Sequence, residues 1–137
     1  MEKQMFEHLP KNVLLYSWLP QLKVLDHADC SINHGGIHTI NECIHFSVPM
    51  LVFSGKKYDQ NGCAARVAYY GAGIVGDKDK ESSVSIRDKI GEVLSNTEIA
   101  KKIQHLNQAY YKRKHETIGE KIGIIKKSDF KTISAIN

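Results

Sequence analysis

The segment Asn33-His34-Gly35-Gly36-Ile37-His38-Thr39-Ile40-Asn41-Glu42 carries the densest chemistry in this 137-residue chain. An apolar run leads into two adjacent glycines and then into a helical pattern. Glycines let a backbone turn sharply and approach a ligand closely, while a helix start offers unpaired N–H groups with a partial positive charge. That is anion-binding geometry, and a diphosphate would fit it. His34, Gly35 and Gly36 would form the turn. Thr39 and Glu42 are three residues apart and share a helix face, so a hydroxyl near phosphates and a carboxylate near a ribose are both within reach. The same Thr39-x-x-Glu42 spacing reads equally as a helix capping box.

Other polar and aromatic positions carry weaker signals. Trp18-Leu19-Pro20-Gln21 opens a short helix for which Pro20 is a suitable early residue, and a Trp there could stack on a flat base or simply fill a core. Asp59-Gln60 follows an apolar run and supplies the acceptors and donors that sugar hydroxyls require, though such a pair also caps helices. His34 and His38 have i, i+4 spacing, but Gly35-Gly36 should break any helix between them and the H-E-x-x-H glutamate is missing, so no metal is expected. Gly71-Ala72-Gly73-Ile74-Val75-Gly76 matches G-x-G-x-x-G literally, yet it follows a helical pattern and runs into a charged loop, the wrong context for a dinucleotide. Asp26, His27 and Asp29 cluster without a serine or cysteine in a nucleophile context and read as surface and turn residues.

Short apolar runs alternating with helical patterns must position these groups, which predicts an α/β fold with a Rossmann-like parallel sheet and flanking helices. The expected strands are 12–16, 30–33, 50–54 and 73–75, joined by helices at 21–27, 39–46 and 62–70, which makes three successive crossovers. Beyond the polar run Asp77 to Glu81, Ile86, Ile90, Val93 and Leu94 recur at helical spacing. Ser95-x-x-Glu98 then has the form of a capping box before a second helix through Ile99, Ile103, Leu106 and Tyr110. The assigned domain is 1–117, and the tail 118–137 has no clear period.

Composition sets the outer limits. One domain of 137 residues, 42% hydrophobic and 25% charged, is a globular balance. The longest apolar runs fall far short of the roughly 20 residues a membrane helix needs, and the amino terminus has no export-signal pattern. Cys30, Cys43 and Cys63 are odd in number and lack metal spacing, which points to reduced, mostly buried thiols in a cytoplasm. The net charge of +4 gathers late, at Lys112, Arg113, Lys114, Lys126 and Lys127. These cations sit among helix-patterned residues and read as a solvated face, so no nucleic-acid partner is expected.

In combination the signals become specific. Trp18-x-Pro20-Gln21, His27, His34-x-Gly36-x-x-Thr39-x-x-Glu42, Val48-Pro49 and Asp59-Gln60 resemble, in order, the carboxy-terminal signature of the UDP-glycosyltransferases of the GT-B fold. The likeness runs from about residue 12 to residue 75 and looks nearest to bacterial members that glycosylate carotenoids, macrolides and other small hydrophobic acceptors. It implies that Trp18 stacks on the uracil with Gln21 at the base edge, that His34, Gly35, Gly36 and Thr39 hold the diphosphate, that Glu42 takes the ribose, and that Asp59 and Gln60 take the donor sugar. The implied reaction is inverting transfer of a hexosyl group from a UDP-sugar to an acceptor hydroxyl, with no metal and no cofactor. The chain departs from the pattern at Thr39, usually Ser; at His38, often Asn; at Ser47, which replaces a glycine; and in a 48–59 segment one residue longer than usual.

The same resemblance places the catalytic base on an amino-terminal acceptor domain, so no residue of this chain is assigned as catalytic. An amino-terminal acceptor-domain chain is therefore the expected protein partner, beside the UDP-sugar and a small hydrophobic acceptor. In a sheet of order 3-2-1-4-5-6 the first two strands would be absent, leaving the remaining strands in two pieces with unpaired edges. Two other readings stay open at this point: a stand-alone UDP-sugar-binding module, and an inactive truncated fragment.

Overall fold

The computed structural model describes residues 9–55 and 57–115. Within them the order is α1 (Gln21–Leu25), β1 (Ser31–Asn33), α2 (Ile37–Phe46), β2 (Met50–Val52), α3 (Tyr58–Tyr70), β3 (Gly73–Val75), α4 (Ser83–Ser95) and α5 (Thr97–His115). The three strands form one parallel sheet in the order β1-β2-β3, with Ser31 opposite Met50 and Met50 opposite Gly73. α2 and α3 are the crossovers. All three residues of β2 are fully buried, as a central parallel strand covered on both faces requires. Met50 and Val52 join Leu25, Ile40, Cys43, Val67 and Ile103 in one core, while α4 packs on β2 and β3. Burial of each such side chain contributes roughly 1.5–3 kcal/mol.

The α/β class with a parallel sheet and flanking helices is as expected, but its first expected strand is not there. Residues 12–16 lie outside regular structure, with Leu14 and Leu15 well exposed. An apolar run becomes a strand only when a neighbour takes its backbone hydrogen bonds, and none of the described strands pairs with it. The crossovers are therefore two rather than three, and the sheet is one piece instead of two. β1 is an edge. Ser31 N–H donates to Pro49 and Asn33 C=O accepts from Phe53, so the alternation of a strand turns the polar groups of Ile32 away from β2.

Helix starts also shift. α2 begins at Ile37 with Gly36 as its N-cap, so Thr39 lies inside the helix and is no capping residue. α3 begins at Tyr58, which puts Asp59 and Gln60 in its first turn. Before α5 the cap is Asn96: its Oδ1 accepts from Glu98 N–H at 3.0 Å and from Ile99 N–H at 3.3 Å. Ser95, expected in that role, ends α4 and donates its hydroxyl to Gly91 C=O. The expected tail, 118–137, lies outside the described residues.

Two helices end in the same way on different residues. At the end of α3, Gly71 (φ 67°) donates to Ala68 C=O, and Ala72 N–H reaches back to Val67 C=O. Ser47 (φ 57°) ends α2 by the same pair of bonds, from its own N–H to Ile44 and from Val48 N–H to Cys43. This is the Schellman arrangement, which favours glycine because a Cβ crowds the left-handed conformation. Ser47 is also the position where the resemblance calls for glycine. Ser47→Gly should therefore stabilise the chain by about 0.5–1 kcal/mol, the strain relief being partly offset by a more flexible unfolded chain. A urea melt reads this as a higher midpoint with unchanged slope; an equal or lower midpoint would show that Ser47 is unstrained.

Candidate functional site

β1 ends at Asn33, and the chain turns through His34-Gly35-Gly36 into α2. Asn33 makes the turn: its Oδ1 accepts from Gly35 N–H at 2.9 Å, and its Nδ2 donates to Ser31 Oγ at 3.2 Å. Gly35 has φ +83°, and a Cβ there would lie 3.1 Å from Val52 and 3.2 Å from the Gln60 carbonyl oxygen. Conformation and space both call for glycine. The His34 ring folds over Gly36, its Nε2 being 2.9 Å from where a Cβ would stand. An imidazole thus sits at the start of a ten-residue helix whose first N–H groups receive no side-chain cap. The turn, the uncapped N–H groups and the imidazole form one donor surface for an anion.

Next to this turn lies an open groove of about 620 Å³, walled by residues 16–19, by Gln21, Val24, Leu25 and Ala28, and by 30–34 with Thr39. That volume is within the usual range of small-ligand sites. Trp18 is 78% exposed in it, so it is not a core residue. Four of the nine candidate residues, Trp18, Gln21, His34 and Thr39, share this groove. Glu42 joins them through Gln21, whose amide nitrogen lies 2.6 Å from Glu42 Oε2 and 3.3 Å from Thr39 Oγ1. Among the described residues, no Asp, Glu, Lys or Arg lines the groove. Cys30 does line it, but burial raises its thiol pKa above the ordinary value, which keeps it protonated at neutral pH.

Asp59 and Gln60 stand apart. Neither lines the groove, although the Gln60 backbone packs under Gly35. Gln60 Oε1 accepts from Gly55 N–H at 3.0 Å and closes the loop before α3, while Asp59 is exposed in the helix's first turn. A second hollow of about 470 Å³, lined by Ser54, Asn61 and residues 76–80, contains none of the candidates. Gly71-x-Gly73-x-x-Gly76 leaves α3 and enters β3, the reverse of the strand-to-helix order that a dinucleotide motif needs. Asp26, His27 and Asp29 are exposed. All three cysteines are free; Cys43 is buried, and Cys30 and Cys63 are half-buried. No described helix is long and apolar enough to cross a membrane.

Sequence reasoning gave Asn33 no role of its own, although it organises the turn; an Asn two residues before the first glycine was the available signal. It also passed over Asn107, whose amide donates to the Ile44 and His45 carbonyls and fastens α5 to the end of α2. No local pattern marks that contact.

Residues 1–115 match the family described as the erythromycin biosynthesis protein CIII-like, C-terminal domain. The chain belongs to this family. It is a glycosyltransferase-family carboxy-terminal domain, and its partial GT-B architecture is shared with solved glycosyltransferases. It is 38% identical over 101 residues to the uncharacterized UDP-glucosyltransferase YdhE of Bacillus subtilis (strain 168), covering 74% of this chain and 25% of that one. To a UDP-glucuronosyltransferase of Pleuronectes platessa it is 33% identical over 107 residues, 77% of this chain and 22% of the relative. Among solved structures, the glycotransferase of kitacinnamycin superposes with TM-score 0.73 at 30% identity, over 79% of this chain and 28% of that one. The glycosyltransferase VinC in complex with DTDP superposes with TM-score 0.74 at 22% identity, over 78% and 27%, a likeness of fold alone. The chain thus spans about a quarter of the length of the curated relatives it matches.

Proposed function

We propose that residues 1–117 are part of the nucleotide-sugar-binding domain of a UDP-hexose-dependent glycosyltransferase, which transfers the hexosyl group to an acceptor hydroxyl together with an acceptor domain. The observation that carries this reading is the groove in which Trp18, Gln21, His34 and Thr39 meet beside the uncapped start of α2. Trp18 offers a flat face to a base, and the turn with His34, Gly35, Gly36 and Thr39 offers donors to a diphosphate. Glu42 accepts ribose hydroxyls. Asp59 and Gln60, outside the groove in the first turn of α3, are given to the donor sugar by the resemblance alone, Gln60 through its amide N–H groups because Gly55 holds its oxygen. The names of the relatives, a UDP-glucosyltransferase and a UDP-glucuronosyltransferase, support a uridine-diphosphate sugar as donor. Nothing in this reading needs a metal, since the helix start and His34 supply the counter-dipole for the phosphates.

Calorimetric titration tests it. UDP should bind more tightly than adenosine diphosphate by about three- to tenfold, the worth of one net hydrogen bond. Stacking alone is tolerant of any base, so the preference must come from an edge contact to the single-ring base, which this reading gives to Gln21 beside Trp18. Equal affinity for the two would remove base recognition from this groove.

A further inference from the structure

A hollow of about 450 Å³ lies between α2, α3 and α5, and it shares no lining residue with the groove. Its apolar walls come from one face of each helix. α2 presents Ile37, Ile40 and Ile44, and α3 presents Cys63 and Val67, at the three- and four-residue spacings that put side chains on one side of a helix. Leu106 of α5 adds to them. The polar edge is made by three exposed residues, Asn41, Arg66 and Tyr70. None of these three side chains makes a hydrogen bond or ion pair with another described residue. Among the described lining residues Arg66 alone is charged, and no carboxylate stands with it.

We propose that this hollow binds an aliphatic carboxylate, with its chain against the isoleucines and its headgroup on Arg66. A guanidinium donates two parallel N–H bonds to a carboxylate, and the Tyr70 hydroxyl and Asn41 amide are further donors on the same edge. A small polar anion would leave the apolar walls against water, and an uncharged chain would gain only the apolar contact, so the ligand must carry both parts. The volume is within the usual range of small-ligand sites. The site stands outside the nucleotide-sugar reading, since only α2 contributes to both cavities.

Titration of the full chain with octanoate below its micelle concentration, and with octanol as the uncharged match, tests this. Octanoate should bind more tightly than octanol by about two- to fivefold, as one exposed ion pair supplies, and Arg66→Gln should abolish the difference. Alkylation reports the place. Cys63 lines the hollow, whereas Cys30 lines the groove and Cys43 is buried. With octanoate at about ten times its dissociation constant, mass action leaves about a tenth of the sites free. Maleimide labelling of Cys63, read by peptide mass, should therefore slow by about tenfold while that of Cys30 is unchanged. Cys63→Phe, which fills the hollow, should remove octanoate binding and leave UDP affinity as it was. Octanol binding as tightly as octanoate, an unchanged preference in Arg66→Gln, or an unprotected Cys63 overturns the proposal. So does protection of Cys30 in its place, which would put the acid in the groove. Failure of the chain to bind UDP would remove the nucleotide-sugar reading and leave these outcomes standing.

Discussion

Given a UDP-hexose and any acceptor alcohol, the 137-residue chain is expected to release no UDP above background, however well it binds the donor. Transfer needs a base within about 2.6–3.2 Å of the acceptor hydroxyl, and it needs that hydroxyl held in line with the anomeric carbon. A positioned base contributes about 10²–10⁴-fold, and orientation contributes more. Among the described groove residues this reading leaves no base for the acceptor: the Cys30 thiol is kept protonated by burial, and His34 is given to the diphosphate. Supplying the amino-terminal half of a related enzyme, extended to provide a strand beside β1, should restore both the base and the sheet. The outward-facing polar groups of Ile32, now at an edge, would then find partners. Activity and solubility should rise together. The measurement is UDP release with a panel of hydrophobic alcohols, for the chain alone and for the complemented pair, with Glu42→Ala as control. Acceptor-dependent release by the chain alone, abolished in the control, would locate a catalytic base within these residues.

His34→Ala should weaken UDP-sugar binding by about ten- to a hundredfold and leave uridine binding nearly unchanged. Its ring lies over Gly36 at the start of α2, where a diphosphate would meet the uncapped N–H groups. Losing one hydrogen bond to a charged group costs about 1.5–3 kcal/mol, which is that range in affinity. His34 is exposed, so the substitution removes little packing and the fold should persist. Comparison of melting midpoints guards against a trivial loss of structure. An equal loss for uridine and UDP-sugar would make His34 a structural residue of the turn.

The fold was legible in the sequence where the signal was local and the residues were buried on all sides. β2 reads as an uninterrupted apolar run because helices cover both of its faces, and the Gly35-Gly36 turn reads as a turn because only glycine tolerates Gly35's backbone and neighbours. Helix starts were misplaced where the cap leaves no side-chain mark. Gly36 and Lys57 cap α2 and α3 without a side-chain hydrogen bond, so both helices start earlier, at Ile37 and Tyr58, than the expected 39 and 62. Residues 12–16 have strand-like composition, but a strand is a relation between two segments, and composition reports only one of them.

Amino-acid order alone determined the α/β class, the Gly35-Gly36 turn and the set of residue types offered beside it, because each depends on neighbours within a few positions. Only the tertiary structure decided which of those residues meet. Gln21 reaches Glu42 across 21 positions, and Asn107 reaches Ile44 across 63, contacts that exist only once the helices have packed. It also withdrew Gln60's oxygen from the site to close a loop and left Trp18 open to the groove. The physical reason is the same in each case. A side chain's chemistry is set by its type, but its free donors and acceptors are those that packing leaves unpaired.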